Sequence, residues 1–161
     1  MAADFADPIF AAAKRHQLEP ALIAAVIYQE SRGNPLAVRY EPAFFRRYVE
    51  PWGRGYLPGY VPTQCSLVTE KHMRATSWGL MQVMGETARE RGYAGEFLTG
   101  LLDPAVNISI GAEYLSHLIR NARGSIREAL LRWNGGGNAA YPLEVTSHVQ
   151  SGRYRAVLGQ G

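Results

Sequence analysis

The chain carries a single cysteine, Cys65, which excludes an internal disulfide and any cysteine-cluster metal site. Its four histidines, His16, His72, His117 and His148, fall in neither H-x-x-x-H nor H-E-x-x-H spacing. No zinc site is expected and no cofactor is implied. No apolar run is long enough to span a bilayer, and the N-terminal Met-Ala-Ala-Asp-Phe-Ala-Asp lacks the basic and apolar regions of a signal peptide. If the chain works outside the cytoplasm, another factor is expected to carry it there. Nor is there a run of like charge. The net charge of +3 is spread over scattered Lys and Arg, with Arg46-Arg47 the densest pair, so a phosphate-tracking stripe is missing and nucleic acid is not expected as a partner. An anionic cell wall would suit that mild basicity as well. Repeats, low-complexity tracts and alternating strand patterns of convincing length are also missing. At 161 residues this leaves one domain, residues 1–161, mostly or wholly helical, stabilised by packing and expected to be a monomer.

Helix signals are plentiful. Asp7-Pro8 and Asp103-Pro104 each read as a cap followed by proline in the first turn, and Glu19-Pro20 opens another helix. These predict helices to about His16, to Glu30 and to about Ala122. Ser125-Ile-Arg-Glu128 is a capping box for a helix through Trp133, which Asn134-Gly-Gly-Gly137 ends, and Pro142 starts a last helix. Ser77 is expected to cap a short helix holding Trp78, Leu80, Met81, Val83 and Met84. Between residues 37 and 75 the pattern weakens into a long insert, with short helices expected at Pro42–Val49 and Ser66–Arg74 around a Pro/Gly/aromatic loop from Pro51 to Pro62. A connection of that length inside a domain is usually functional.

Within the Pro20–Glu30 helix, Leu22, Ile23, Val26 and Ile27 form an apolar stripe, and Glu30 extends it, seven residues after Ile23 and three after Ile27. The carboxylate therefore faces inward in the last turn before Gly33-Asn34-Pro35. Desolvation and the negative end of the helix dipole both favour its neutral form. A carboxylic acid kept protonated near neutral pH is what glycosidic cleavage asks of a general acid. The plainer alternative is a glutamate at the rim of the stripe that reaches water.

Three further stretches carry polar groups at helix ends or turns: Gly79-Leu80-Met81-Gln82, Arg132-Trp133-Asn134-Gly135-Gly136 and Glu144-Val-Thr-Ser-His148-Val149. Singly, each has a dull reading: Met81 and Trp133 as core, Gln82 as surface, Asn134 as a helix terminator. Their order is more telling. Glu30-Ser31 with Asn34-Pro35, then Gly-Leu-Met-Gln, then Asn107-Ile108-x-x-Gly111-x-x-Tyr114-Leu115, then aromatic-Asn-x-Gly, resembles the soluble lytic transglycosylases, relatives of goose-type lysozyme. The likeness covers most of the chain outside the 37–75 insert.

The resemblance implies a lysozyme-like helical domain that cleaves the β-1,4 bond between N-acetylmuramic acid and N-acetylglucosamine in peptidoglycan, with Glu30 as acid and then base and a 1,6-anhydro product. It further implies that Ser31 assists at Glu30 or the muramyl group, that Met81, Gln82 and Asn134 are cleft residues, and that the Tyr114 hydroxyl reaches the cleft. Departures are specific. Trp133 stands where a tyrosine usually precedes the asparagine. His148 stands where a tyrosine usually supports the catalytic glutamate, so three alternatives stay open: His148 donates, Tyr141 substitutes, or that support is absent. The insert's Tyr40-Glu41-Pro42-Ala43-Phe44-Phe45-Arg46 is similar to a segment of phage-type muramidases, which makes Glu41 a candidate second carboxylate for a hydrolytic reaction, against the alternative of a helix-start glutamate. We expect the insert to wall the cleft through Trp52, Tyr56 and Tyr60, and its shortening to impair glycan binding more than folding. A wall-degrading chain without a signal peptide points to a phage lysin or virion component. A non-catalytic peptidoglycan-binding module is the competing class.

Overall fold

The computed structural model describes residues 5–52, 57, 60 and 65–160. It is mostly helical, built from α1 (Ala6–His16), α2 (Pro20–Ser31), α3 (Pro42–Phe44, continued as a π-helical turn over Phe45–Val49), α4 (Leu67–Arg74), α5 (Gly85–Glu90), α6 (Pro104–Asn121), α7 (Ile126–Trp133) and α8 (Tyr141–Gln150). The cap signals explain several boundaries. Asp103 Oδ1 accepts from the Val106 amide, Ser125 Oγ from the Glu128 amide and Ser66 Oγ from the Thr69 amide, each satisfying an amide that has no partner inside its helix. Asp7 is not a cap. The first helix starts at Ala6, one residue before it, and Asp7 sits in the first turn.

The central element is α2, which packs against α1, α8 and a 3₁₀ helix at Arg153–Leu158 that lacks a clear sequence signal. Every residue from Leu22 to Ile27 is buried, so the helix is enclosed all round rather than along one stripe. Ala24 and Ala25, fully buried, leave room for that enclosure. α1 and α7 pack on α6, and this helical half shares one apolar core running from Ile9 and Ile27 to Ile108, Leu115 and Val145.

The expected helix after Ser77 does not form. Instead β1 (Val38–Tyr40), β2 (Thr76–Trp78) and β3 (Val83–Met84) make a small antiparallel sheet in the order β1-β2-β3, which also excludes a wholly helical chain. The physical reason lies in the turn between β2 and β3. Gly79 and Gln82 both hold left-handed backbone, φ 66° and 49°, which a right-handed helix cannot contain. The fully buried Asn107 of α6 then takes over the turn's polar groups. Its Oδ1 accepts from the Met81 amide at 2.8 Å, and its Nδ2 donates to the carbonyls of Trp78 at 2.8 Å and Leu101 at 2.9 Å. A β-carbon on Gly79 would stand 2.6 Å from that Nδ2 and 2.7 Å from the Leu101 carbonyl oxygen, so glycine is required there.

The insert is tied in at both ends, so its shortening is expected to cost folding as well as glycan binding. β1 pairs with β2, and at the far end Arg74 and Glu70 of α4 are buried with Glu86 and Arg89 of α5. Arg74 Nε lies 3.0 Å from Glu70, Arg74 Nη1 3.2 Å from Glu86, and Arg89 Nε 2.9 Å from Glu70. Removing the insert would leave Glu86 and Arg89 without these partners, a costly state for charges shielded from water.

Candidate active site

Glu30 is placed by α2's last turn, where it lines a cavity of about 420 Å³ between the helical half and the sheet. One wall is Tyr114, Arg132, Trp133, Asn134 and Gly135; the other is Arg39, Glu41, Phe44, Ser77, Gln82, Val83, Met84 and Thr87. Two donors converge on one carboxylate oxygen. Trp133 Nε1 donates to Glu30 Oε1 at 3.0 Å, and the Tyr141 hydroxyl donates to the same atom in a short hydrogen bond.

The electrostatics of Glu30 are a balance. Burial pushes its carboxyl above the ordinary 4.5, while the Tyr141 and Trp133 hydrogen bonds, which strengthen with the ionised form, and the charge of Arg39 pull it back. Tyr141 is itself buried, and burial together with the neighbouring Glu30 charge drives its hydroxyl far above the usual tyrosine range, so it stays a donor. The Tyr114 ring lies against Trp133, centroids 5.4 Å apart, and braces the indole that reaches Glu30. Burial also raises the Tyr114 hydroxyl.

Of the residues singled out in the sequence, Glu30, Glu41, Gln82, Tyr114, Trp133 and Asn134 come together around the cavity, with Tyr141 behind Glu30. The Gln82 side-chain nitrogen is spent on the carbonyls of Gly79, at 2.9 Å, and Ala37, at 3.1 Å, which leaves its oxygen for the cavity. Asn134 is the converse: its oxygen accepts from the Asn138 amide at 2.7 Å and its nitrogen is left. Glu41 is committed to an ion pair, Arg39 Nε to Oε1 at 2.8 Å, part-exposed to solvent.

Three others lie off the cavity lining. Met81 is fully buried and packs on Gly111 of α6, where a β-carbon would collide with its sulfur. Ser31 Oγ donates to the Leu80 carbonyl at 2.8 Å and so pins α2 to the β2–β3 turn. His148 sits against Gln29 and Tyr28, not at Glu30, and burial holds its imidazole below the ordinary 6.5. Glu30's tyrosine donor is Tyr141. In the insert, Arg39 and Phe44 line the cavity rather than Trp52, which is 45 % exposed, or Tyr60, whose hydroxyl donates to the Cys65 carbonyl; Tyr56 lies outside the described residues.

Asn107 entered the sequence reading only as part of a motif and was given no role there. Its signal was a polar side chain one position before Ile108 and four before Gly111, on the inward side of a long helix. Arg39 offered no such signal. Among the described residues no group of three or more His, Cys, Asp or Glu is arranged to hold a metal ion, and no helix is long and apolar enough to cross a membrane.

Comparison with known proteins gives two matches. The profile of the transglycosylase SLT domain matches residues 7–143. The endolysin of Enterobacteria phage PRD1 is 36% identical over 59 residues, which make up 35% of this chain and 40% of that protein. No solved structure matches the chain.

Proposed function

This chain belongs to the transglycosylase SLT domain family, and we propose that it cleaves the β-1,4 bond between N-acetylmuramic acid and N-acetylglucosamine in peptidoglycan by lytic transglycosylation, with Glu30 as its one acid–base group. The observation that carries this reading is the convergence of Trp133 and Tyr141 on Oε1 of a half-buried carboxylate that lines the cavity. A single group that must give a proton and take one back works best with a pKa near the operating pH. Burial raises the Glu30 carboxyl, and the two donors oppose that rise.

In the first step Glu30 gives its proton to the glycosidic oxygen, the bond from that oxygen to the muramyl anomeric carbon breaks, and the leaving sugar departs as an alcohol through an oxocarbenium-like transition state. In the second, the muramyl 6-hydroxyl oxygen bonds to the anomeric carbon while Glu30 removes its proton. The product ends in 1,6-anhydro-muramic acid, Glu30 is again protonated and no water is consumed. Gln82 Oε1, Asn134 Nδ2 and the Tyr114 hydroxyl orient the N-acetyl and hydroxyl groups of the sugars. Ser31, Met81 and His148 act on the scaffold behind them. The likeness to a phage endolysin supports a lysin delivered to the bacterial wall.

One observation favours hydrolysis instead: Glu41 lines the same cavity and would serve as the base for a water. Its ion pair with Arg39 weighs against that role. We expect Glu30→Gln to stay folded and to lose at least about a hundredfold in turnover on purified peptidoglycan, the scale set by general acid catalysis. Lysis within a few-fold of wild type would contradict the assignment.

A further inference from the structure

Next to Glu30 in the chain, Gln29 begins a run of hydrogen bonds that passes behind the cavity and returns to its wall. His148 Nε2 pairs with Gln29 Oε1 at 2.7 Å, Gln29 Nε2 donates to Glu144 Oε2 at 2.9 Å, Asn138 Nδ2 donates to Glu144 Oε2 at 3.1 Å, and the Asn138 amide donates to Asn134 Oδ1 at 2.7 Å. The ends of the run are α2, which carries Glu30, and the turn that carries Asn134. Its midpoint is Glu144, in the first turn of α8, whose first residue is Tyr141.

The direction of every bond is determined. An ionised carboxylate only accepts, so Gln29 must present its nitrogen to Glu144 and its oxygen to His148. His148 therefore donates from Nε2. Its Nδ1 is buried with no hydrogen-bond partner, so a second proton there would be an unsatisfied buried donor, and the ring is held neutral. Asn138 is similarly oriented. With its nitrogen on Glu144, its oxygen accepts from the Ala140 amide at 2.9 Å and its carbonyl from the Tyr141 amide at 3.2 Å. Ala140, at the cap position of α8, makes no side-chain cap, and Asn138 instead satisfies the amides of Ala140 and Tyr141 where the helix begins.

We propose that Glu144 is a positioning residue: through Gln29 and Asn138 it locks the end of α2, the start of α8 and the Asn134–Asn138 turn into the one arrangement in which Tyr141 and Trp133 both reach Glu30. The inference rests on the reading of Glu30 as the acid. The simpler role for Glu144 is a first-turn carboxylate favoured by the helix dipole, which would need the charge but not the partners.

Two variants separate these roles. Both arms meet on one oxygen, Glu144 Oε2, with Asn138 Nδ2 also 3.3 Å from Oε1. In Glu144→Gln the introduced carbonyl oxygen takes the Oε2 place and accepts from both Gln29 and Asn138, so the partners are kept while the charge is lost. Glu144→Leu loses both. On purified peptidoglycan, each variant read at its own optimum pH, Glu144→Leu should lower kcat roughly tenfold or more with KM within about twofold, the pattern of a displaced catalytic group, and Glu144→Gln should recover most of that loss. Carbon-13 NMR titration of Glu30 should shift upward in Glu144→Leu as its two donors loosen and should stay close to wild type in Glu144→Gln. A folded Glu144→Leu with unchanged kcat and unchanged Glu30 titration overturns the proposal. So does a Glu144→Gln as impaired as Glu144→Leu, the result that a role resting on charge alone predicts. Should Glu144→Leu not fold, Gln29→Met, which removes one arm, is read by the same measurements. Glu30→Gln serves as the reference: if it remains active the functional reading fails, whereas an inactive Glu30→Gln beside an unaffected Glu144→Leu defeats only this inference.

Discussion

The cavity wall made by α2, α6 and α7 rests on an apolar core, whereas the part of the facing wall that the insert supplies, on β1 and α3, is anchored by strand pairing at one end and by a buried cluster of four charges between α4 and α5 at the other. The first kind of support is graded. Ile23, Val26 and Ile27 each contribute by the area they remove from water, and a lost methylene is felt in proportion. The second kind is all or nothing, because Glu70, Arg74, Glu86 and Arg89 are tolerable in the interior only as a neutral set. The comparison teaches where each function can sit. Glu30, whose acidity depends on a stable degree of burial, lies on the packing-held wall, and the insert's Arg39, Glu41 and Phe44 ride on a clasp that one substitution can open.

The sharpest way to break that contrast is Arg74→Met. It leaves Glu70 with Arg89 alone and Glu86 without its guanidinium, and burial already pushes the Glu86 carboxyl upward. We expect a loss of about 3–5 kcal/mol in a denaturant titration, the range for removing one partner of a buried ion pair. A loss under about 1 kcal/mol would mean that the insert wall is held by something other than its charges.

Tyr141→Phe tests the helical wall with a smaller effect. It deletes the donor to Glu30 Oε1 while keeping the ring in its buried place, so turnover should fall roughly tenfold, about 1.4 kcal/mol, with unfolding nearly unchanged. Steady-state rates on a soluble glycan oligomer together with a melting curve would show it; a large drop in melting temperature with normal turnover would make Tyr141 a packing residue.

A smaller effect concerns the pH dependence of stability. Because burial raises the Glu30 carboxyl above 4.5, the folded chain binds that proton more tightly than the unfolded chain does. The associated stability is present below 4.5 and is lost as pH rises through the folded value. Glu30→Gln has no such loss, so its melting temperature relative to wild type should rise from acid towards neutral pH. A difference that stays flat or shrinks would show Glu30 to be unburdened by burial.

Most helices were legible in the sequence because each boundary signal acts locally: Ser66, Asp103 and Ser125 cap their own helices, and proline stands in the first turn of α2, α6 and α8. Glu30 was legible because one period of one helix fixes its direction. What was hidden depends on distant partners. The strands are three, three and two residues long, too short to alternate, and they exist because Asn107 and Ser31 fasten the turn between β2 and β3 from other helices. The left-handed Gln82 looks like any glutamine until the turn is seen. The four buried charges look like surface residues one at a time, and the donor that supports Glu30 was left open between Tyr141, His148 and none, because both residues lie on α8.

The most direct test is the product made without Glu41. Peptidoglycan digested with wild type and with Glu41→Gln should be analysed by mass spectrometry of the released muropeptides. If Glu30 alone serves as acid and base, Glu41→Gln retains activity within about twofold and both digests are dominated by 1,6-anhydro-muramic ends. Reducing muramic ends in the wild-type digest, with activity abolished in Glu41→Gln, would contradict this and make the insert's carboxylate part of the chemistry.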